Sequence, residues 1–405
     1  MQSSEKSMRD IAEEGMLMPQ EEMLEVGRKK SSLFIGIPKE TSFQENRVAL
    51  TPAAVALLVH NGHRVVIQRN AGHKANYTDH EYSEAGASVG DIQEVFQADI
   101  ILKIAPPSEK EIDLMHPGQT LMTALQLNLQ LKTTLLKLIE KRITAIAWDF
   151  IQDEDGIYPT VRTMGEIAGN TAILIAAECL SNMNDGVGLM FGGIAGVKPS
   201  EVVILGAGTV GEYAARAALG LGASVKVFDS SISRLRRLQN NVGARLYTSV
   251  MDPNVMAECL ANADVAIGAI RSNRGRTPVV VSEAMVEKMK KGAVIVDVSI
   301  DRGGCFETSR VTDHDRPTYV KHDVVHYCVP NIASRVSRTA SNALSNIFSP
   351  IVLEMADMGG CKSLIKHDPG FRHGVYLYQG MLTSELLGEI FGLPCKDIDL
   401  LIAAF

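Results

Sequence analysis

The chain alternates between short, wholly apolar runs and stretches whose apolar residues recur every three or four positions. The first run, 33–37, is followed by a polar loop and then by a helical stretch from Thr51-Pro52 to Asn61-Gly62. Threonine before proline is an N-cap signal and Asn-Gly a C-cap signal. Further runs lie at 65–68, 99–104, 120–126 and 143–148, separated by helical stretches. Apolar runs this short, spaced by helices, predict a parallel sheet with crossover helices. A long helix is expected from Thr163 through 172–177, then a glycine-rich loop at 186–196. A second series of runs follows at 202–205, 225–228, 265–269, 293–298 and 324–329. A last helix, 342–358, is expected to return to the first unit, because a long stretch of chain remains to be placed. The pattern predicts an α/β protein of two doubly wound, Rossmann-like parallel-sheet domains with an active-site cleft between them. The first comprises 33–160 and 337–405, the second 161–336. Ahead of them, 1–32 reads as an arm of one or two short amphipathic helices broken near Pro19, ending in the solvated linker Arg28-Lys29-Lys30-Ser31-Ser32.

The most specific stretch is in the second domain. The run Val202-Val203-Ile204-Leu205 enters the turn Gly206-Ala207-Gly208-Thr209-Val210-Gly211, an alanine-rich helix follows, and the next run ends on Asp229. Strand, GxGxxG turn, helix and a strand closed by an acid form the dinucleotide fingerprint. Gly206 permits the tight turn, Gly208 lets backbone approach a pyrophosphate at a helix N-terminus, and Gly211 lets helix and strand pack closely. A carboxylate at Asp229 suits an adenosine ribose, and so NAD over NADP.

Composition narrows the class. The chain has 405 residues, 46% of them hydrophobic, which suits two domains with sizeable cores. A net charge of −7, without basic runs interleaved with aromatics, argues against nucleic acid as a partner. Six dispersed cysteines without a CxxC pair fit a reducing cytoplasm. The polar, acidic N-terminus is unlike a signal peptide, and no apolar run reaches the ~20 residues of a membrane span. The histidines show no metal-ligand spacing; His322-Asp323 reads as a turn and His116 as a surface-loop residue.

Three side chains stand where chemistry is expected. Arg47 follows a loop at the C-terminal end of the first strand, the side that faces the crevice in doubly wound sheets, and a guanidinium grips a carboxylate bidentately. Lys103 is embedded among isoleucines and must reach water, pair, or shift its pKa. Asp301 follows the strand 294–298 on a loop facing the cleft, where a carboxylate suits general acid–base work. Asp297, in mid-strand, is expected to make structural hydrogen bonds instead.

Several local motifs agree with one family. The segments 35–40 (IGIPKE) and 45–52 (ENRVALTP) are similar to the opening of alanine dehydrogenases and of the NAD-binding subunit of proton-translocating transhydrogenases. Residues 101–103, 206–211, 296–307 (VDVSIDRGGCFE) and 327–332 (YCVPNI) continue the resemblance, which spans about 33–400. Asp301 with Gly303-Gly304-Cys305-Phe306-Glu307 looks like the dehydrogenase branch, and the long loop characteristic of transhydrogenase subunits is absent. The resemblance implies NAD-dependent, reversible oxidative deamination of L-alanine to pyruvate and ammonia, in a homo-oligomer, often a hexamer. It assigns Arg47 to the substrate carboxylate, Lys103 to the substrate oxygens and Asp301 to acid–base catalysis. Asn331 would hold the nicotinamide carboxamide. Val298, Ser299, Ile300, Arg234 and Arg310 match further cofactor-contact positions.

Two departures stand out. Where alanine dehydrogenases carry a catalytic histidine, the matching segment Thr123-Ala124-Leu125-Gln126-Leu127-Asn128 has Gln126, which orients groups through hydrogen bonds but does not titrate near neutrality. Where the family has a serine at the start of the long helix, this chain has Gly165. Three readings of Gln126 stay open: Lys103 and Asp301 suffice for alanine; Asn128 or His116 stands in; or the substrate is another 2-oxo acid. A non-catalytic NAD-binding member of the fold is the rival from another class.

Overall fold

The computed structural model describes residues 31–126, 131–182, 186–272 and 275–404. The N-terminal arm, but for its last two residues, and Asn128 lie outside the described residues. Fifteen strands occur among the described residues. They are β1 (Phe34–Ile37), β2 (Arg64–Gln68), β3 (Ser88–Gly90), β4 (Ile100–Leu102), β5 (Thr120–Thr123), β6 (Thr144–Ala147), β7 (Glu201–Leu205), β8 (Ser224–Phe228), β9 (Tyr247–Ser249), β10 (Val265–Gly268), β11 (Val294–Asp297), β12 (Thr318–Lys321), β13 (Val324–Tyr327), β14 (Val375–Tyr378) and β15 (Met381–Leu382). They form two sheets, ordered β15-β14-β6-β5-β4-β1-β2-β3 and β12-β13-β11-β10-β7-β8-β9.

Every pairing from β1 to β6 is parallel, as are those joining β7, β8, β9, β10, β11 and β13. The residues buried on both faces explain the unbroken apolar runs. The expectation of purely parallel sheets needs correcting at one edge of each. β12 pairs antiparallel with β13, and β14 antiparallel with both β6 and β15. Local turn chemistry is the cause. His322 and Asp323 both have positive φ (54° and 57°), as do Gln379 and Gly380 (50° and 80°). Two consecutive left-handed residues close a two-residue hairpin.

Two helices tie the halves together. α1 (Pro159–Leu180) starts four residues before the expected Thr163. α2 (Ser337–Asp357) likewise starts before Asn342, and the chain beyond it returns to the first sheet as β14 and β15. The helix Pro52–His60 begins where Thr51-Pro52 signals, but the Thr51 side chain makes no cap; its backbone N–H is bound instead by Ser345 Oγ of α2 at 2.8 Å.

The glycine-rich turn packs as tightly as chemistry allows. A Cβ on Gly211 would lie 1.9 Å from the Gly206 carbonyl oxygen, whereas one on Gly208 would meet nothing within 4 Å. Gly211→Ala is therefore expected to cost ~1–3 kcal/mol through forced displacement of the strand–helix junction, read as a lower denaturant midpoint. Gly208→Ala should leave that midpoint within ~0.5–1 kcal/mol of the parent, the ordinary scale of a glycine-to-alanine change. Equal effects at the two positions would contradict this account.

Candidate active site

The parallel strands of each sheet end at one side, and the turns leaving those ends carry the expected residues. β1 leads to the loop of Glu40, Glu45 and Arg47, β4 to Lys103, β5 to Gln126 and β6 to Asp149. On the second sheet β7 leads to the glycine-rich turn and β11 to the 3₁₀ turn Val298–Arg302 that bears Asp301.

Arg47 is buried, and its guanidinium is held side-on. Nε donates to Glu45 Oε1 and Nη2 to Glu45 Oε2, both at 2.7 Å, and Nη1 rests 3.4 Å from Met164 Sδ. A guanidinium has two bidentate edges. Glu45 takes the Nε/Nη2 edge, and on the Nη1/Nη2 edge Nη1 meets the Met164 sulfur. Burial works to lower the Arg47 pKa; the Glu45 carboxylate outweighs it, so the guanidinium stays charged.

Asn331, at positive φ (55°), couples the two halves. Its backbone N–H donates to Asp301 Oδ1 at 2.8 Å and its Nδ2 to Glu45 Oε2 at 2.9 Å. Asp301 shows its surface to the cleft but is crowded by protein on its other sides, and this crowding raises its pKa. The Asn331 N–H and the charge of Arg47 oppose the rise. The serines of the hinge and of α2 secure the Arg47 loop. Ser334 Oγ accepts from Asn46 N–H, Ser341 Oγ from Val48 N–H and Ser345 Oγ from Thr51 N–H, all within 2.9 Å.

Lys103, expected at a substrate oxygen, is held by two carboxylates. It is fully buried, with Nζ 2.8 Å from Glu111 Oε1 and 3.3 Å from Glu40 Oε2. Burial alone would lower its pKa; the two carboxylates outweigh that and raise it. Three apolar neighbours in sequence called for a partner, and a short helix opening with the capping box Ser108–Glu111 supplies one. Gln126 lies half-buried at positive φ (35°) just beyond β5. The preceding Leu125 N–H donates to Asp149 Oδ1 at 2.8 Å.

Asp297 is structural, as expected: it accepts from Ser299 N, Cys305 N and Ser309 Oγ at 2.7–3.0 Å and shapes the turn beneath Asp301. Ser299 Oγ in turn accepts from Ile270 N–H, and Val298 and Ile300 complete that turn. Asp229 ends β8 buried, accepting from Ala207 N and Ser231 N at 2.8 and 2.7 Å, with Arg234 Nη1 3.5 Å away. A ribose there would share its carboxylate with the turn, since each oxygen holds two lone pairs. The residues fit a dinucleotide: open space over Gly208, Thr209 and Val210 in the first turn of the following helix, and an acid at the next strand end. Arg310, expected among the cofactor contacts, places its guanidinium 4.0 Å over the Tyr319 ring on edge strand β12. Gly165 faces Thr209, where an added Cβ would sit at 3.4 Å. Away from the cleft, Glu283, Glu287 and His322 cluster on the surface, with Glu283 already paired to Lys321 at 2.7 Å.

Sequence reasoning missed Glu45, Glu40 and Glu111, the buried counter-ions of the two cations. It also missed the serine positions 334, 337, 341, 345 and 349, whose three- and four-residue spacing marks a polar stripe along one face of α2.

Two family models cover most of the chain: "Alanine dehydrogenase/PNT, N-terminal domain" matches residues 36–168 and "Alanine dehydrogenase/PNT, C-terminal domain" residues 172–385. The chain belongs to the alanine dehydrogenase/PNT family. Within this pyridine-nucleotide-dependent family, the alanine dehydrogenase of Mycolicibacterium smegmatis is 40% identical over 367 residues, 90% of this chain and 98% of that one. The alanine dehydrogenase of Staphylococcus saprophyticus is 38% identical over 369 residues, 91% and 99% of the two chains. A solved L-alanine dehydrogenase superposes with a TM-score of 0.83 at 36% identity, covering 88% of this chain and 99% of the other. A transhydrogenase from Sinorhizobium meliloti, at 23% identity and a TM-score of 0.73 over 86% and 98%, shares the fold. The family expectation from the motifs is thus borne out, and so is the α/β architecture. Among the described residues no helix is long and apolar enough to cross a membrane.

Proposed function

We propose that this family member is an NAD-dependent dehydrogenase that interconverts L-alanine with pyruvate and ammonia. The observation that carries this reading is the hydrogen-bonded chain Asp301–Asn331–Glu45–Arg47, which links a carboxylate on the turn after β11 to a guanidinium whose second edge rests only on a methionine sulfur. A 2-amino acid offers matching groups: a carboxylate for Arg47 and, at C2, a centre that must exchange protons with Asp301. The bound nicotinamide would take or give the hydride at C2. Arg47 fixes the substrate end-on, and Asn331 holds Asp301 in register with it. Asp301 would take a proton from the substrate's ammonium group in deamination and return it to that nitrogen in amination. Lys103, with Nζ on Glu40 and Glu111, keeps a third N–H that would serve a substrate oxygen. We place the dinucleotide on 206–211 with Asp229 at its ribose, and the substrate on the other side of the cleft.

The test is oxidation of NADH by pyruvate with ammonium, run beside a panel of longer 2-oxo acids. Turnover with pyruvate supports the reading. Gln126 favours a second reading, a different 2-oxo acid as substrate, which is supported if pyruvate is silent while another acid oxidises NADH. For the cofactor, we expect NADPH to be at least ~10-fold poorer than NADH, since setting a phosphate against the Asp229 carboxylate is a like-charge juxtaposition that costs several kcal/mol. Asp229→Ser should narrow that ratio. A parent enzyme that prefers NADPH would refute the role given to Asp229.

A further inference from the structure

Gln126 leaves the β5 side of the cleft without a titrating group, yet the next strand end supplies one. Asp149 follows β6, which pairs in parallel register with β5 (Thr123 opposite Ala147), so its carboxyl lies beside the Leu125-Gln126 segment. Oδ1 accepts the Leu125 N–H at 2.8 Å, which fixes the carboxyl to the peptide that carries Gln126. The preceding Trp148 donates its indole Nε1–H to the Lys103 carbonyl at 3.0 Å, so the same turn is tied to the end of β4. From the opposite sheet two guanidiniums act on Asp149: Arg271, after β10, and Arg302, the residue following Asp301. Arg302 is itself aimed by a hydrogen bond to the Ser272 carbonyl. Nearby, Thr123 Oγ1 and Tyr376 Oη are buried without a hydrogen-bond partner among the described residues, and Tyr376 senses the charge of Asp149. Hydroxyls of this kind are satisfied by an ordered water or by a polar atom of a ligand.

We propose, on the dehydrogenase reading above, that Asp149 is the acid–base group on the β5–β6 side of the cleft, carrying the proton that Gln126 does not. Gln126 then orients and Asp149 titrates. In amination the carboxylic acid of Asp149 gives its proton, directly or through one water, to the hydroxyl of the C2 carbinolamine. The C–O bond breaks, water leaves and the C=N bond of the iminium forms, with Asp149 left as carboxylate. In deamination water adds to the iminium carbon and the Asp149 carboxylate takes the proton released.

The electrostatics agree with such a group. Burial raises the Asp149 pKa to about 6, against the Leu125 N–H and the two guanidiniums, which lower it. The other groups around it are Tyr158, beside Arg271, Tyr376 on β14, and His373, whose ring bonds the Phe150 carbonyl. A carboxyl that titrates near neutrality holds both of its forms at working pH.

The test is the pH profile of deamination by the full-length enzyme and by D149N, which keeps an oxygen for the Leu125 N–H. The parent rate should rise through about pH 6 as Asp149 loses its proton. In D149N kcat should fall at least ~10²-fold, the lower end of the general-base range, and the inflection near pH 6 should vanish, leaving only that of Asp301. D149E should restore the inflection, and Gln126→His in the D149N background should recover rate. In the protein free of substrate and nucleotide, the carboxyl carbon assigned by its absence from D149N should titrate near 6 in an NMR series. An unchanged inflection in D149N, a kcat within twofold of the parent, or a carboxyl titrating near the ordinary 4 would overturn the proposal. If pyruvate is silent, the oxo acid that turns over replaces it in every arm. A parent enzyme silent on all of them fails at the dehydrogenase reading, and this proposal falls with it.

Discussion

Asp301→Asn should lower kcat in both directions by ~10²–10⁴-fold, the range for loss of a positioned general base, while leaving KM for the amino acid within a few-fold. Asparagine keeps an oxygen for the Asn331 N–H, so the turn Val298–Arg302 and the link to Glu45 persist. What is lost is the proton site alone. In the parent, burial holds the Asp301 pKa above the ordinary carboxylate range. Deamination needs its ionised form, so the rate climbs as pH rises through that raised pKa. For stability the sign is opposite. An acid whose folded pKa is raised destabilises the native state as pH climbs past its unfolded value, so D301N should melt no lower than the parent at neutral pH. A fall in melting temperature with kcat unchanged would mean that Asp301 is a structural residue.

Removal of the Arg47 charge should have two separable consequences. Arg47→Met strips the buried Glu45 carboxylate of both side-on hydrogen bonds, leaving it the Arg47 backbone N–H and Asn331 Nδ2. Breaking one side of a buried pair costs ~3–5 kcal/mol, seen as a much lower denaturant midpoint. It also removes the carboxylate grip, and kcat/KM for alanine should fall by at least ~30-fold, as truncating a buried charge partner costs about 2–5 kcal/mol. The double variant E45Q/R47M separates these effects. It should recover most of the midpoint, since no unpaired charge remains, and none of the kcat/KM. Recovery of activity together with stability would refute Arg47 as the substrate's anchor.

How much of this was legible in the sequence depended on whether the signal was local. The turn at Gly206–Gly211 declares itself because its geometry is set within a few residues: one glycine at positive φ and one under a carbonyl. The core strands were legible because burial on both faces leaves an unbroken apolar run. The antiparallel edges were missed although His322-Asp323 was read as a turn, since a turn read alone does not say which strands it joins. Lys103 shows the deeper limit. Its neighbours demand a partner, but Glu40 lies 63 positions before it and only the fold brings the two within 3.3 Å. Glu45 was hidden for the opposite reason: two residues from Arg47, it read as part of a polar loop rather than as the group that orients the guanidinium. Asp149 carried no motif at all. Its character comes from the register of β5 and β6 and from two arginines on the other sheet.

The serine stripe along α2 has a consequence for how the Arg47 loop is held. The segment that leaves the second sheet at Asn331 runs through Ser334 into α2, and Ser334, Ser341 and Ser345 hold the backbone of the very loop that presents Arg47. The connector between the two halves is thus also the bracket for that loop. Alanine at any of these serines would leave a loop N–H without its acceptor and loosen Arg47 without touching the guanidinium.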